Sequence, residues 1–345
     1  MKNKLLKNTL RVAFILVSIG SLAFVPWILV KAWILPLPNT VQEQVNDALN
    51  YGFDGSIVYV DQGGQPPAFY AAGWHNREKK IPANPHALFK IASISKLYVA
   101  VAITKLVKAE RLSLNDKLTD FFPELKGRIE NAEKISIKLM VQHRSGIPNF
   151  TDNPDFWSRP PGSSDEALDY AIDLPANFQP DQDYGYSNTN YLLLSRIIEQ
   201  VVGYSRQQYF EEEILTPLGL KNTFGSVNDV NLERVMSGYY VGEATDFKTV
   251  DQGMLATAED VGIFLRALND GSVFKDGEQD IYSSIYEYKH SGLVPGYQSL
   301  AEYHHDIDTV VVQFTNTTDF NGYNWNLSQI LYGRIVKIIE KNRTK

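Results

Sequence analysis

Ser93 and Lys96 stand three residues apart in the stretch Phe89-Lys90-Ile91-Ala92-Ser93-Ile94-Ser95-Lys96, directly ahead of the apolar run Leu97 to Ile103. At that spacing the two side chains share one helix face, so the amine can reach the hydroxyl without help from distant segments. The chemistry on offer is nucleophilic catalysis. A serine hydroxyl is almost inert at its own pKa and needs a neighbour to take its proton, and a lysine can do this only where burial keeps its amine partly neutral. The apolar run supplies that burial. Ser272 and Lys275 repeat the pattern, but they follow the stop-and-turn Asn269-Asp270-Gly271 with no apolar helix face beyond, so they read as a surface turn.

Two other segments carry side chains suited to such a site. Tyr186-Ser187-Asn188 lies just before the helical pattern of Tyr191 to Val202. A phenol beside a lysine ammonium is expected to lose its proton well below its usual pKa of about 10, and the asparagine offers both a donor and an acceptor to a substrate amide. The competing reading is an Asn-rich helix cap with a core tyrosine, and the segment alone does not decide. His290-Ser291-Gly292 continues into Leu293-Val294-Pro295-Gly296-Tyr297. A strand edge of that composition can lie along an extended substrate, with the glycine permitting close backbone approach. Alone it would read as an ordinary strand start.

The whole chain limits the alternatives. Its 345 residues, 44% hydrophobic, can build one large domain or two lobes sharing a site. Lys2, Lys4, Lys7 and Arg11 precede Val12 to Val30, nineteen residues without a charge, and Lys31 closes the run. This is a membrane-spanning length with basic residues leading, which predicts an uncleaved anchor in preference to a cleaved signal, a cytoplasmic N-terminus and an extracytoplasmic remainder, periplasmic or on the cell surface. Five of the 33 basic side chains and none of the 40 acidic ones fall in residues 1–31, so the remainder is acidic and has no nucleic-acid footprint. Cysteine is absent, which excludes disulfides and thiol chemistry. His304-His305-Asp306 reads as a solvated turn, and no His-Glu-x-x-His helix supports a zinc site.

Strand patterns occur at both ends. Gly55 to Val60 and Ala68 to Ala72 flank a Gln62-Gly63-Gly64 turn, and Gly296 to Tyr303 and Thr309 to Thr315 flank His304 to Asp308. Helical periodicity fills the centre: the Ser93 helix, Ile137 to His143 behind a Ser136 cap, and Tyr191 to Val202 stopped by Gly203. Thr257-Ala258-Glu259-Asp260 resembles a capping box for a helix ended by Gly271, and Ile330 to Ile339 reads as a closing helix. The fold class is α/β (α+β), with one antiparallel sheet assembled from distant segments, flanked by helices and joined to a helical lobe. The division predicted is an anchor and linker over 1–38 and a catalytic domain over 39–345, with a sheet lobe at about 39–92 and 236–345 and a helical lobe at about 93–235.

In this order the three motifs resemble the serine beta-lactamase and penicillin-binding-protein superfamily, whose signature is Ser-x-x-Lys, Ser/Tyr-x-Asn and Lys/His-Ser/Thr-Gly. Tyr-Ser-Asn with His-Ser-Gly is similar to the class C beta-lactamase and D-alanyl-D-alanine carboxypeptidase branch. His143-Arg144-Ser145-Gly146 and Ala256-Thr257-Ala258-Glu259-Asp260 are close to two further family segments, the first bracing the helical lobe. The resemblance implies catalytic roles for Ser93, Lys96 and Tyr186 and substrate binding by Asn188, His290, Ser291, Gly292 and Leu293, the last through its backbone N–H in an oxyanion hole. It implies no cofactor and no metal. His290, where class C enzymes have lysine, argues against efficient beta-lactam hydrolysis. The implied activity is a D-alanyl-D-alanine carboxypeptidase-like peptidase working through acyl-Ser93, with a carboxylesterase or a non-turnover penicillin-binding sensor as alternatives. Partners are a small-molecule or peptide substrate and a membrane through residues 12–30, not nucleic acid; oligomeric state is not encoded legibly.

Overall fold

The computed structural model describes residues 2–158, 161–251 and 253–343. Two sequence-distant hairpins, whose central strands are buried on both faces, build the frame. β1 (Gly55–Gln62), β2 (Ala68–Asn76) and the short β3 (Ile81–Pro82) come from the first part of the chain; β4 (His290–Val294), β5 (Tyr297–His304) and β6 (Thr309–Thr315) come from the last. They form one antiparallel sheet in the order β3-β2-β1-β6-β5-β4, joined where Ser56 to Gln62 pair with Thr315 to Thr309. The two-residue period sends Ile57, Tyr59, Val310, Val312 and Phe314 to one face and Val58, Val60 and Val311 to the other. As predicted, helices flank both faces.

α3 (Val41–Asp47) and α7 (Asn324–Arg343) cover the second face through Val41, Val45, Tyr332, Ile335 and Ile339. The first face meets the main core, which continues into the central helices. At its heart is α4 (Ser95–Lys108), in which every residue from Lys96 to Leu106 is buried. A helix apolar on all sides belongs inside a protein, and each fully buried Leu, Ile or Val contributes about 1.5–3 kcal/mol. α5 (Asn188–Val202) ends at Gly203 with φ +87°, the left-handed stop its sequence predicts. α6 (Ala258–Asp270) begins with half of the expected capping box. Thr257 accepts from the Asp260 N–H, but the Asp260 carboxylate turns to the Asn222 N–H and the Thr223 hydroxyl.

The apolar run 12–30 does not form one continuous rod. α1 (Lys2–Ser21) and a 3₁₀ turn (Leu22–Phe24) give way at Val25 and Pro26 to a separate helix, α2 (Trp27–Ile34). Proline cannot donate and crowds the preceding turn, so helical hydrogen bonding is interrupted there. The segment long and apolar enough to cross a membrane is Leu6–Phe24. α2, which sequence reasoning placed in the anchor and linker, packs instead on α7: Ala32 is fully buried in a cluster with Leu327 and Leu331.

Candidate active site

Ser93 lies in a 3₁₀ turn, Ala92–Ile94, immediately before α4, and Lys96 occupies the first turn of that helix. The turn is held from both sides. The Ile91 N–H donates to the Met254 carbonyl, and the Ile91 carbonyl accepts from the Ser299 hydroxyl on β5. Ala92 sits at φ +48°, a conformation that costs a non-glycine residue energy and is held only where the surroundings fix it. Lys96 Nζ lies 3.0 Å from Ser93 Oγ and donates to Asn188 Oδ1 at 2.7 Å. The rings of Tyr186 and Tyr191 stand 5.0 and 5.4 Å from the amine. All of these neighbours are neutral. Burial therefore dominates and lowers the Lys96 pKa to about 7.

Tyr186 and Asn188 reach the site because the residue between them is pinned. The Ser187 N–H donates to His143 Nδ1, and its hydroxyl donates to the Pro148 carbonyl. The His143 ring also stacks on Tyr186 at 4.5 Å, so the segment read as bracing the helical lobe braces the phenol itself. Tyr186 Oη donates to Ser93 Oγ at 2.7 Å. Ser93 thus accepts from the phenol while its own proton is free to face Lys96. One expectation is reversed. Burial pushes the Tyr186 pKa up to about 12, because desolvating a phenolate costs more than the Ser93 hydrogen bond returns. The phenol is a proton donor here, and the amine brought to about 7 is the candidate base.

The edge strand β4 closes the cleft opposite. Gly292 packs on the Ser93 turn so closely that a Cβ would come within 2.4 Å of the Ile91 carbonyl oxygen and the Ser299 hydroxyl; only glycine fits. The Tyr186 and His290 rings are 6.5 Å apart, so the three motifs do converge. His290 Nδ1 is 2.6 Å from the Ser291 carbonyl, which can only accept; Nε2 must then accept from the Tyr286 hydroxyl at 2.9 Å. Both ring nitrogens are engaged, and burial holds the His290 pKa down to about 4. His290 therefore offers a substrate carboxylate no cationic charge. Lys289 beside it is paired with Glu302 at 2.6 Å. Ser291 lines the mouth with Glu287, and Leu293 is partly exposed along the same edge.

Sequence reasoning passed over Tyr286, whose hydroxyl engages His290 Nε2, and Asn149, whose Oδ1 accepts from both the backbone and the side-chain amide of Asn188. Neither stands in a recognisable motif. The second Ser-x-x-Lys is the surface turn its sequence suggests, with Lys275 paired to Glu213.

The Beta-lactamase family profile matches residues 37–285, more than half of the chain. The chain belongs to this family. The profile stops short of β4, so the third motif is added by geometry. The chain is 25% identical over 272 residues to "Protein flp" of Staphylococcus aureus (strain MW2), covering 74% of this chain and 53% of that protein. It is 24% identical over 280 residues to an N-acetylmuramyl-L-alanine amidase of Bacillus subtilis (strain 168), covering 67% and 63%. The chain therefore spans about half to two-thirds of the length of the curated relatives it matches. Among solved folds, the D-amino acid amidase of Ochrobactrum anthropi SV3 has a TM-score of 0.76 at 21% identity, covering 88% of this chain and 99% of that one. The penicillin-binding protein of Bacillus halodurans gives 0.73 at 22%, covering 88% and 100%. These confirm the beta-lactamase and penicillin-binding-protein fold.

Proposed function

We propose that this family member is a serine amidohydrolase acting through acyl-Ser93, on amides or peptides whose leaving side carries no carboxylate. The observation that carries the reading is Ser93 Oγ held between Lys96 Nζ at 3.0 Å and Tyr186 Oη at 2.7 Å. Neutral Lys96 takes the serine proton as Oγ attacks the carbonyl carbon. The oxyanion is met by the backbone N–H groups of Ser93 and Leu293. Tyr186 Oη then gives its proton to the departing amine and is reprotonated by the Lys96 ammonium, and water releases the acyl group by the reverse path. Asn188 holds Lys96 and the acyl-side amide. α1 would hold the domain at the outer face of a membrane.

Two considerations favour an uncharged leaving side over a D-alanyl-D-alanine terminus. His290 is neutral with both nitrogens engaged, and Lys289 is paired with Glu302. Two similar proteins are named as amidases. Purified full-length protein offered D-amino acid amides, a D-Ala-D-Ala peptide and a nitrophenyl ester decides the matter. The amide should turn over repeatedly, with Ser93→Ala abolishing covalent labelling by a fluorophosphonate. Faster cleavage of the free-carboxylate peptide than of its amidated form would refute this specificity, and a single turnover on every substrate would leave only the sensor alternative.

A further inference from the structure

α2 reads Trp27-Ile28-Leu29-Val30-Lys31-Ala32-Trp33-Ile34, apolar around its circumference apart from Lys31. Such a helix belongs in an apolar medium, a protein core or a lipid phase. The fold covers only one side of it. Ala32 is buried against α7, whereas Trp27, Ile28, Trp33 and Ile34 remain 56%, 40%, 71% and 63% exposed.

The position of α2 determines what can cover the rest. Only Val25 and Pro26 separate it from the membrane-length segment that ends at Phe24. Three residue steps reach about 11 Å at most, so the first turn of α2 is held at the surface of a bilayer that holds Leu6–Phe24. The Trp27 indole donates to the Leu22 carbonyl across the break at 2.9 Å, which shortens that reach further. Tryptophan and lysine, each an apolar body with a polar tip, are the residues that settle at this depth.

At its other end α2 is keyed to the catalytic domain. Arg334 of α7, 7% exposed, donates to the carbonyls of Ala32 at 3.2 Å, Leu35 at 2.7 Å and Pro36 at 2.8 Å, and to Gln44 Oε1 at 2.7 Å. The last carbonyls of a helix have no partner within it and carry the negative end of its dipole, so a buried guanidinium there satisfies both sides.

We infer that the open face of α2 docks in the headgroup layer of the anchoring bilayer and that Arg334 passes this contact to the catalytic domain, fixing its orientation. The domain does not swing on a tether. Gln329 of α7 lines both the hollow beside Trp33 and the mouth of the cleft at His290, so the height of that mouth above the lipid is fixed as well.

The chain has no native cysteine, so a single nitroxide can be placed at will. The full-length protein carrying Ile34→Cys or Trp33→Cys is reconstituted in phosphatidylethanolamine and phosphatidylglycerol vesicles, with Glu124→Cys on the helical lobe as the aqueous control. Ser93 labelling by a fluorophosphonate identifies folded protein. Labels at 33 and 34 should collide with oxygen several-fold more, relative to a nickel chelate, than the label at 124. In the Ile34→Cys, Glu124→Cys double variant, Arg334→Gln should broaden the distribution of the distance between the labels while leaving label 34 in lipid. Nickel access at 34 equal to that at 124 would place the face in water and overturn the inference. Shielding of label 34 from both probes with dipolar coupling to a second chain would overturn it too, by showing that another copy covers the face. An unchanged distance distribution in Arg334→Gln would refute the part assigned to arginine.

Discussion

Two lysines on α4, nine positions apart, are equally buried and have opposite fates. Lys96 and Lys105 are 5% and 4% exposed. Lys105 Nζ meets the buried Glu278 carboxylate at 3.1 Å and the Val273 carbonyl at 2.9 Å. Lys96 meets a hydroxyl, an amide oxygen and two aromatic rings, and its pKa falls to about 7. Depth alone does not make a general base. What matters is whether burial comes with a countercharge, because an ion-paired ammonium is tied into the scaffold. Lys90, buried on the strand before Ser93, is also brought to about 7. It donates to the Phe247 and Val250 carbonyls and serves a loop. Of the two lysines brought to about 7, Lys96 alone is bonded to the candidate nucleophile.

Exchanging the two outcomes gives the largest effects. Lys96→Met removes the base and should lower kcat/KM by about 10²–10⁴-fold while thermal stability holds. Lys105→Met leaves the Glu278 carboxylate buried and unpaired, at a cost of about 3–5 kcal/mol in denaturant unfolding, with folded protein still turning over. If both variants lost stability and activity in parallel, the division between base and scaffold would not stand.

The pH profile sharpens the contrast. Activity needs neutral Lys96, whose fraction grows as pH rises, so kcat/KM should climb through an acid limb near the pKa of about 7. The neighbouring histidines do not contribute above pH 5, because His143 and His290 are held down to about 3 and 4. Asn188→Asp would give Lys96 the carboxylate that Lys105 has. The lysine pKa should then rise by about 1–3 units and the acid limb move to higher pH by the same amount. A limb that stays in place would mean another group sets it. Tyr186→Phe keeps the ring over the amine but removes the donor to Ser93 Oγ. It should slow acylation by about 10²-fold without moving the limb.

The contrast also marks what the sequence could disclose. Spacing made the Ser93–Lys96 contact legible, since it is local to one turn, and the order of three motifs gave the fold and the strand edge. The hairpins, the Gly203 stop and the Thr257 cap are likewise local. The sign of the Tyr186 shift was not legible, because it depends on how far distant segments bury the phenol, which outweighs its hydrogen bond to Ser93. Nor was the engagement of His290, since Tyr286 comes from an irregular loop without periodicity. The break at Pro26 was hidden by uniform hydropathy: averaging over apolar residues weighs a proline lightly, although its effect on the backbone is decisive there.

The smallest predicted effect tests the scaffold side most sharply. If Lys105 and Glu278 compensate one another, with little net gain over an apolar pair, removing both should cost far less than removing either. Two charges leave water on folding, and their attraction roughly offsets that desolvation. Lys105→Met with Glu278→Leu should therefore unfold within about 1 kcal/mol of the parent, on the precedent that hydrophobic replacement of buried ion pairs is neutral or stabilising. Two partners are left behind: the Val273 carbonyl, which loses a donor, and the Lys275 backbone N–H, which loses its acceptor in the Glu278 carboxylate at 2.8 Å, each at about 1–3 kcal/mol unless the chain relaxes. A double variant as unstable as Lys105→Met alone would assign the cost to these two backbone groups and not to the stranded carboxylate. No such exchange is open to Lys96, whose lack of a countercharge is the property that the proposed chemistry uses.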